Sequence, residues 1–245
     1  TGENKTVNYI ATQWAMDGLR PAGADGSWYA PVELVERIPE DAVIEFSVIS
    51  KSKRIGLRSD GIILRSGERV FSQSAIAVAF AGYASDGGAE SKSTVAGKLV
   101  FLPLEPLATG DDRADYRGRK QWLIDQGALG VISVVEDMKR WPRLFRSYQR
   151  GNTGLANPGD HAALEGLISL DQFARLVDRS GEDARKLLDD RDEISSVDLD
   201  LDADVTARSS VRSYLSHNVI GKIPGRNPQS GAVLFMGHWD HFGEC

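Results

Sequence analysis

Apolar residues near the amino end of the chain recur with the spacing of one helix face. Val7, Ile10, Ala11 and Trp14 follow the i, i+3, i+4, i+7 pattern that places side chains on the same side of an α-helix. Gly18 follows at a position where glycine commonly ends a helix. The pattern therefore predicts an amphipathic helix that ends near Gly18.

Most of the remaining apolar runs have the length and alternation of β-strands. They cover residues 28–35, 43–49, 61–64, 75–80, 98–103, 131–135, 162–170, 197–201, 218–223 and 232–236. Helical spacing at 115–126, between two of these strands, predicts a βαβ unit. Two short helices are predicted at 170–177 and 182–188. This order of elements predicts an α/β protein.

Three of the predicted strands differ in which faces they bury. The strand at 43–49 is predicted to place Val43, Ile44, Phe46, Val48 and Ile49 in the core. In 197–202 apolar residues alternate with aspartates, which predicts one solvated face. No calcium loop is predicted there, because the glycine that such a loop needs for its turn is missing. Residues 232–236 are apolar at every position, which predicts a central strand covered by helices.

Charge and composition exclude several classes of partner. The chain of 245 residues has a net charge of −6 and a pI near 5.3, whereas nucleic-acid binding needs clustered positive charge. The basic residues that do cluster, at 139–150, are predicted to form a solvated helix face or loop rather than an anion site. No apolar run approaches the roughly 18–20 residues of a transmembrane helix. One cysteine, Cys245, excludes an internal disulfide.

Candidate chemistry lies directly after the apolar run 232–236. The sequence there is Gly-His-Trp-Asp-His at 237–241. Ligand-binding groups of open α/β sheets gather beyond the carboxyl ends of strands. Imidazole is the commonest metal ligand among side chains, and a nearby carboxylate can orient it. From these residues alone, His238 is consistent both with a metal ligand and with a histidine that is hydrogen-bonded at a strand end.

Three separated parts of the chain resemble the M28 family of zinc aminopeptidases. The segment Asn-Val-Ile-Gly-Lys-Ile-Pro-Gly at 218–225, with the run 232–243, resembles the family's opening hairpin and its Gly-(Ala)-His-x-Asp-His motif. Residues 5–23, which end in Gly-Leu-Arg-Pro-Ala-Gly, resemble the family's first helix and the segment that follows it. Segments at 82–83, 95–100 and 128–132 resemble the protease-associated (PA) domain that is inserted into many members.

The resemblance implies a zinc metallopeptidase that removes amino-terminal residues from peptide substrates with two zinc ions. At the matching positions, His238 would ligate one zinc, and Asp240 would be the carboxylate that supports this histidine and the metal pair. The motif gives no ligand role to His161, His217 or His241. In the family the other ligands and the general-base glutamate follow this motif, so the chain of 245 residues is itself expected to be inactive.

The fold class that we expect is α/β, with a mixed-sheet peptidase domain, incomplete in this chain, and an inserted β-rich PA domain. Residues 1–55 would form the amino-terminal part of the peptidase domain, 56–192 the PA domain, and 193–245 the start of the peptidase core sheet. The resemblance also implies a periplasmic or secreted protein. Two alternatives stay open: a carboxypeptidase of the same family, and a non-catalytic PA-type binding or receptor module with degenerate peptidase flanks.

Overall fold

A computed structural model describes residues 2–82, 95–104, 110–156, 162–189, 196–227 and 231–239. The chain divides into two compact units, of which unit 1 consists of residues 1–34 and 213–245 and unit 2 of residues 35–212. Helices and strands alternate along the chain, so the prediction of a mixed α/β fold is confirmed. The proposed limits of a PA domain at 56–192 stay a prediction.

Unit 1 contains a helix and a small two-stranded sheet. Helix α1 (Gly2–Met16) buries Val7 and Ala11, two members of the predicted apolar face. After the helix the Leu19 amide donates to the Trp14 carbonyl at 2.9 Å, and Gly18 adopts a positive φ of 83°. This left-handed residue ends the helix where the sequence predicts, because glycine adopts positive φ without a Cβ clash.

The large sheet contains nine of the described strands and is mixed. They are β2 (Tyr29–Val48), β3 (Lys53–Ile55), β4 (Ile62–Ser66), β5 (Val70–Phe80), β6 (Leu99–Leu104), β7 (Gly130–Val135), β8 (Asn152–Leu155), β9 (Leu164–Ser169) and β10 (Val197–Val219). Their order is β3-β2-β10-β5-β6-β7-β9-β4, and β8 pairs with β2. The β5-β6-β7-β9 ladder is parallel, whereas β4 and β10 join it antiparallel.

The predicted βαβ unit is present in unit 2. Helix α2 (Gly110–Asp125) connects β6 to β7, whose residues pair in parallel register from Leu99 with Gly130 to Leu104 with Val135. Three more helices follow in chain order: α3 (Trp141–Gln149), α4 (Leu170–Ser180) and α5 (Ala184–Asp189). Every residue of β7 and β9 is buried, as expected for parallel strands that are covered on both faces.

Aromatic side chains from four elements form the centre of the unit 2 core. Phe46 of β2 and Phe101 of β6 lie 6.1 Å apart between ring centroids. Phe173 of α4 contacts both Phe80 at 5.7 Å and Phe101 at 5.3 Å. Edge-to-face and tilted pairs of this kind add to the free energy gained from burial. The core thus connects helix α4 to the middle of the sheet.

The prediction that residues at 43–49 lie in the core is wrong for two of them. Val43 is 62% exposed and Ile49 is 51% exposed, whereas Phe46 and Val48 are buried. Successive side chains of a strand point to opposite faces, and Val43 lies on the face opposite to Phe46. Ile49 has left the strand and begins a short 3-10 turn. Ile44 is partly buried and packs against the core.

The long strands β2 and β10 are longer than the sequence predicts. β2 continues through Pro39, a residue that usually marks the end or the edge of a strand. In β10 Leu199 and Leu201 are buried and Asp198 is exposed, so the predicted solvated face is confirmed. The Asp198 carboxylate accepts a hydrogen bond from Lys98 at 2.6 Å.

The predicted central strand at 232–236 is wrong for the described structure. Residues 231–239 belong to no helix or strand, and the side chains at 233–236 are 77–91% exposed. A strand is stabilised by hydrogen bonds to a neighbouring strand and by burial of its side chains, and no described strand pairs with this segment. The apolar composition of a segment indicates that a strand there would need a neighbouring strand and covering side chains. It does not show that such neighbours are present.

Candidate functional site

Unit 1 brings together two segments that are about 200 residues apart in sequence. The second of them precedes the candidate motif in the chain. Strand β1 (Arg20–Pro21) pairs antiparallel with β11 (Gly221–Lys222). Beyond the ladder the Ala22 amide donates to the Ile220 carbonyl at 3.0 Å, and the Ile220 amide donates to the Trp28 carbonyl at 2.8 Å. The Gly-Leu-Arg-Pro-Ala-Gly and Asn-Val-Ile-Gly segments of the sequence therefore lie side by side.

Gly221 makes this close pairing possible. A Cβ at this position would lie 2.8 Å from Trp14 Cε3, 3.0 Å from Leu19 Cδ2 and 3.0 Å from Trp28 Cζ3. These distances are too short for a carbon–carbon contact, so the two indole rings and the leucine occupy the space that any larger residue would need. The glycine of the Asn-Val-Ile-Gly segment thus has a packing reason in this fold.

His217 lies in a second polar contact of unit 1. Its amide donates to Glu3 Oε1 at 3.1 Å, and its Nδ1 lies 3.6 Å from the same oxygen. The Tyr29 ring stands edge-on to the imidazole, with ring centroids 6.2 Å apart. The Tyr29 hydroxyl in turn donates to Asn8 Oδ1 at 2.6 Å. These contacts fit a histidine that fixes the amino-terminal helix to β10.

The candidate metal ligand His238 lies in the segment 231–239 and is exposed to solvent. Asp240, the carboxylate expected to support it, lies outside the described residues, as do His161, His241 and Cys245. Whether His238 and Asp240 come together is therefore a prediction from the motif.

The described residues do not by themselves fit a zinc ion. Among them no group of three or more His, Cys, Asp or Glu side chains is placed to hold a metal. Catalytic zinc sites in proteins use three protein ligands, whereas the candidate ligand His238 would supply one imidazole. The two-zinc centre implied by the family resemblance would thus need ligands beyond those that the structure describes.

Helix α3 carries part of the basic cluster of the sequence. Trp141 is buried and donates from Nε1 to the Asp60 carbonyl at 2.9 Å, and Phe145 packs against it at 5.4 Å. Arg143 and Arg146 are exposed on the other side of the helix. These two arginines therefore lie on the solvated face of an amphipathic helix, and the other basic residues of the cluster flank the helix, in agreement with the predicted solvated face or loop. None of the helices in the described ranges has the length and apolar character needed to cross a membrane.

Known structures similar to this chain include aminopeptidases, at low identity. An aminopeptidase from Aneurinibacillus sp. strain AM-1 is 14% identical with a TM-score of 0.43, and the match covers 92% of this chain and 44% of that one. Two structures of a zinc aminopeptidase from Bacillus subtilis are 13% identical with a TM-score of 0.28, and each match covers 93% of this chain. The chain therefore spans less than half the length of these proteins.

No protein-family model and no curated protein matches the chain. Similarity at the level of the structural matches does not determine an activity.

Proposed function

We propose that this chain is part of a zinc-dependent aminopeptidase of the M28 type. The observation that carries the proposal is the pairing of β1 with β11. Two of the three sequence segments that resemble the family, residues 5–23 and 218–225, are adjacent in space although they are far apart in the chain. A chance resemblance of two segments gives no reason for them to pair through the very residues that carry it.

In this proposal His238 ligates one zinc ion, and Asp240 is the carboxylate that orients it. A metal-bound histidine usually donates its second ring N–H to a carboxylate or a carbonyl, which fixes its tautomer and its direction. Zinc would supply a polarised water molecule for peptide hydrolysis. The reaction is assigned to the whole protein, because one described imidazole does not make a metal centre.

The remaining parts of the proposal concern the middle of the chain and the location of the protein. Residues 56–192 would form an inserted PA domain that influences the access of peptides to the cleft. The protein would be periplasmic or secreted. Both statements rest on the family resemblance of the sequence.

The proposal is tested by the activity of the whole protein that contains this chain. It is expected to hydrolyse an amino-acid arylamide, such as leucine p-nitroanilide, and to lose this activity with 1,10-phenanthroline. Added zinc should restore the activity. A blocked substrate, N-acetyl-leucine p-nitroanilide, is the control, because an aminopeptidase requires the free amine. Chelator-resistant hydrolysis, or no hydrolysis in zinc-replete protein, contradicts the proposal, and the second result favours a binding module.

A further inference from the structure

We draw no further inference here: the strongest candidate, the polar cavity of unit 2, carries nothing, because the cations described in its lining are already partnered within the protein, Arg65 and Lys120 by Glu165 in one ion network and Arg37 by the Gly67 carbonyl.

Discussion

At the scale of single residues, Gly221 occupies a position that the sequence marks but does not explain. It is one of several glycines in the chain, and the Asn-Val-Ile-Gly pattern alone gives no reason for its identity. The reason is that β1 approaches β11 while Trp14, Leu19 and Trp28 pack over the same point. A side chain of any size at this residue would separate contacts on which unit 1 depends.

Replacing Gly221 is therefore expected to destabilise unit 1. Gly221→Ala should cost about 1–3 kcal/mol, the usual penalty of overpacking. The measurement is amide hydrogen exchange by mass spectrometry on peptides that cover α1 and β11, which should exchange faster in the variant. Gly225→Ala is the control, because no atom lies within 4 Å of a Cβ built there. Equal protection in the two variants would contradict the packing argument.

Glu165 gives a prediction on pH dependence. Its pKa is lowered in the folded protein, so it contributes stability that is fully present above its unfolded pKa of about 4.3. This contribution is lost as the pH falls through the lower folded value. The free energy of unfolding should decrease from about pH 5 downward, and part of this decrease should vanish in Glu165→Gln. Urea unfolding at a series of pH values is the measurement.

The same substitution should be costly at neutral pH. Glu165→Gln removes the carboxylate that pairs with the buried Arg65 of β4 and the partly buried Lys120 of α2, and breaking a buried ion pair costs about 3–5 kcal/mol. Asp41→Asn is the matched control, since Asp41 forms an exposed pair with Arg208 and its loss should cost less than about 1 kcal/mol. Similar losses in the two variants would show that the Glu165 network contributes no more than a surface ion pair.

At the scale of elements, the sequence predicts best where local pattern and tertiary packing agree. Periodicity predicts helix α1 because the helix has one apolar face. It predicts the β6-α2-β7 unit because the two strands are apolar runs on either side of helical spacing. Strand β2 is divided by Pro39 in the sequence pattern, yet the chain passes through it without leaving the strand. A proline inside a strand is tolerated when pairing with other strands holds the residues before and after it. This pairing is long-range, so no local sequence pattern predicts it.

The candidate sites differ in how far they can be predicted. The motif at 237–241 is contiguous, so a resemblance can find it even though the structure adds little about it. Arg37, Arg65, Lys120 and Glu165 line one pocket of unit 2, lie on β2, β4, α2 and β9, and come together through register and packing alone. The local signal available was a charged residue, Arg65, at the end of an apolar strand, and that pattern is also common at strand ends on the surface.

The segment 231–239 gives a prediction at the same scale. Because it pairs with no described strand, its amides should exchange with solvent within seconds in the 245-residue chain, while those of β6 and β7 should be protected by orders of magnitude more. Hydrogen exchange read by mass spectrometry measures both in one experiment, with β6 and β7 as the internal standard. Protection of 231–239 equal to that of β7 would mean that the segment is paired after all.

At the scale of the whole molecule, the decisive question is whether His238 binds metal. Its solvent exposure and its place after an apolar run fit one ligand of a metal site whose other ligands lie outside the described residues. They fit a surface histidine equally well. Metal content separates the two, because a ligand contributes to zinc affinity whether or not the protein turns over substrate. The measurement therefore does not depend on the choice of peptide.

His238→Ala in the whole protein is expected to remove about one zinc ion per chain, since loss of one ligand from a catalytic site of three protein ligands greatly weakens it. Elemental analysis after dialysis against a zinc-buffered solution gives the stoichiometry. His217→Ala is the matched control: it removes a histidine that contacts Glu3 and Tyr29, and it should leave the zinc content unchanged. An unchanged zinc content in His238→Ala contradicts the assignment. Equal loss in both variants would instead mean that zinc is lost through unfolding of unit 1, which circular dichroism of the two proteins would reveal.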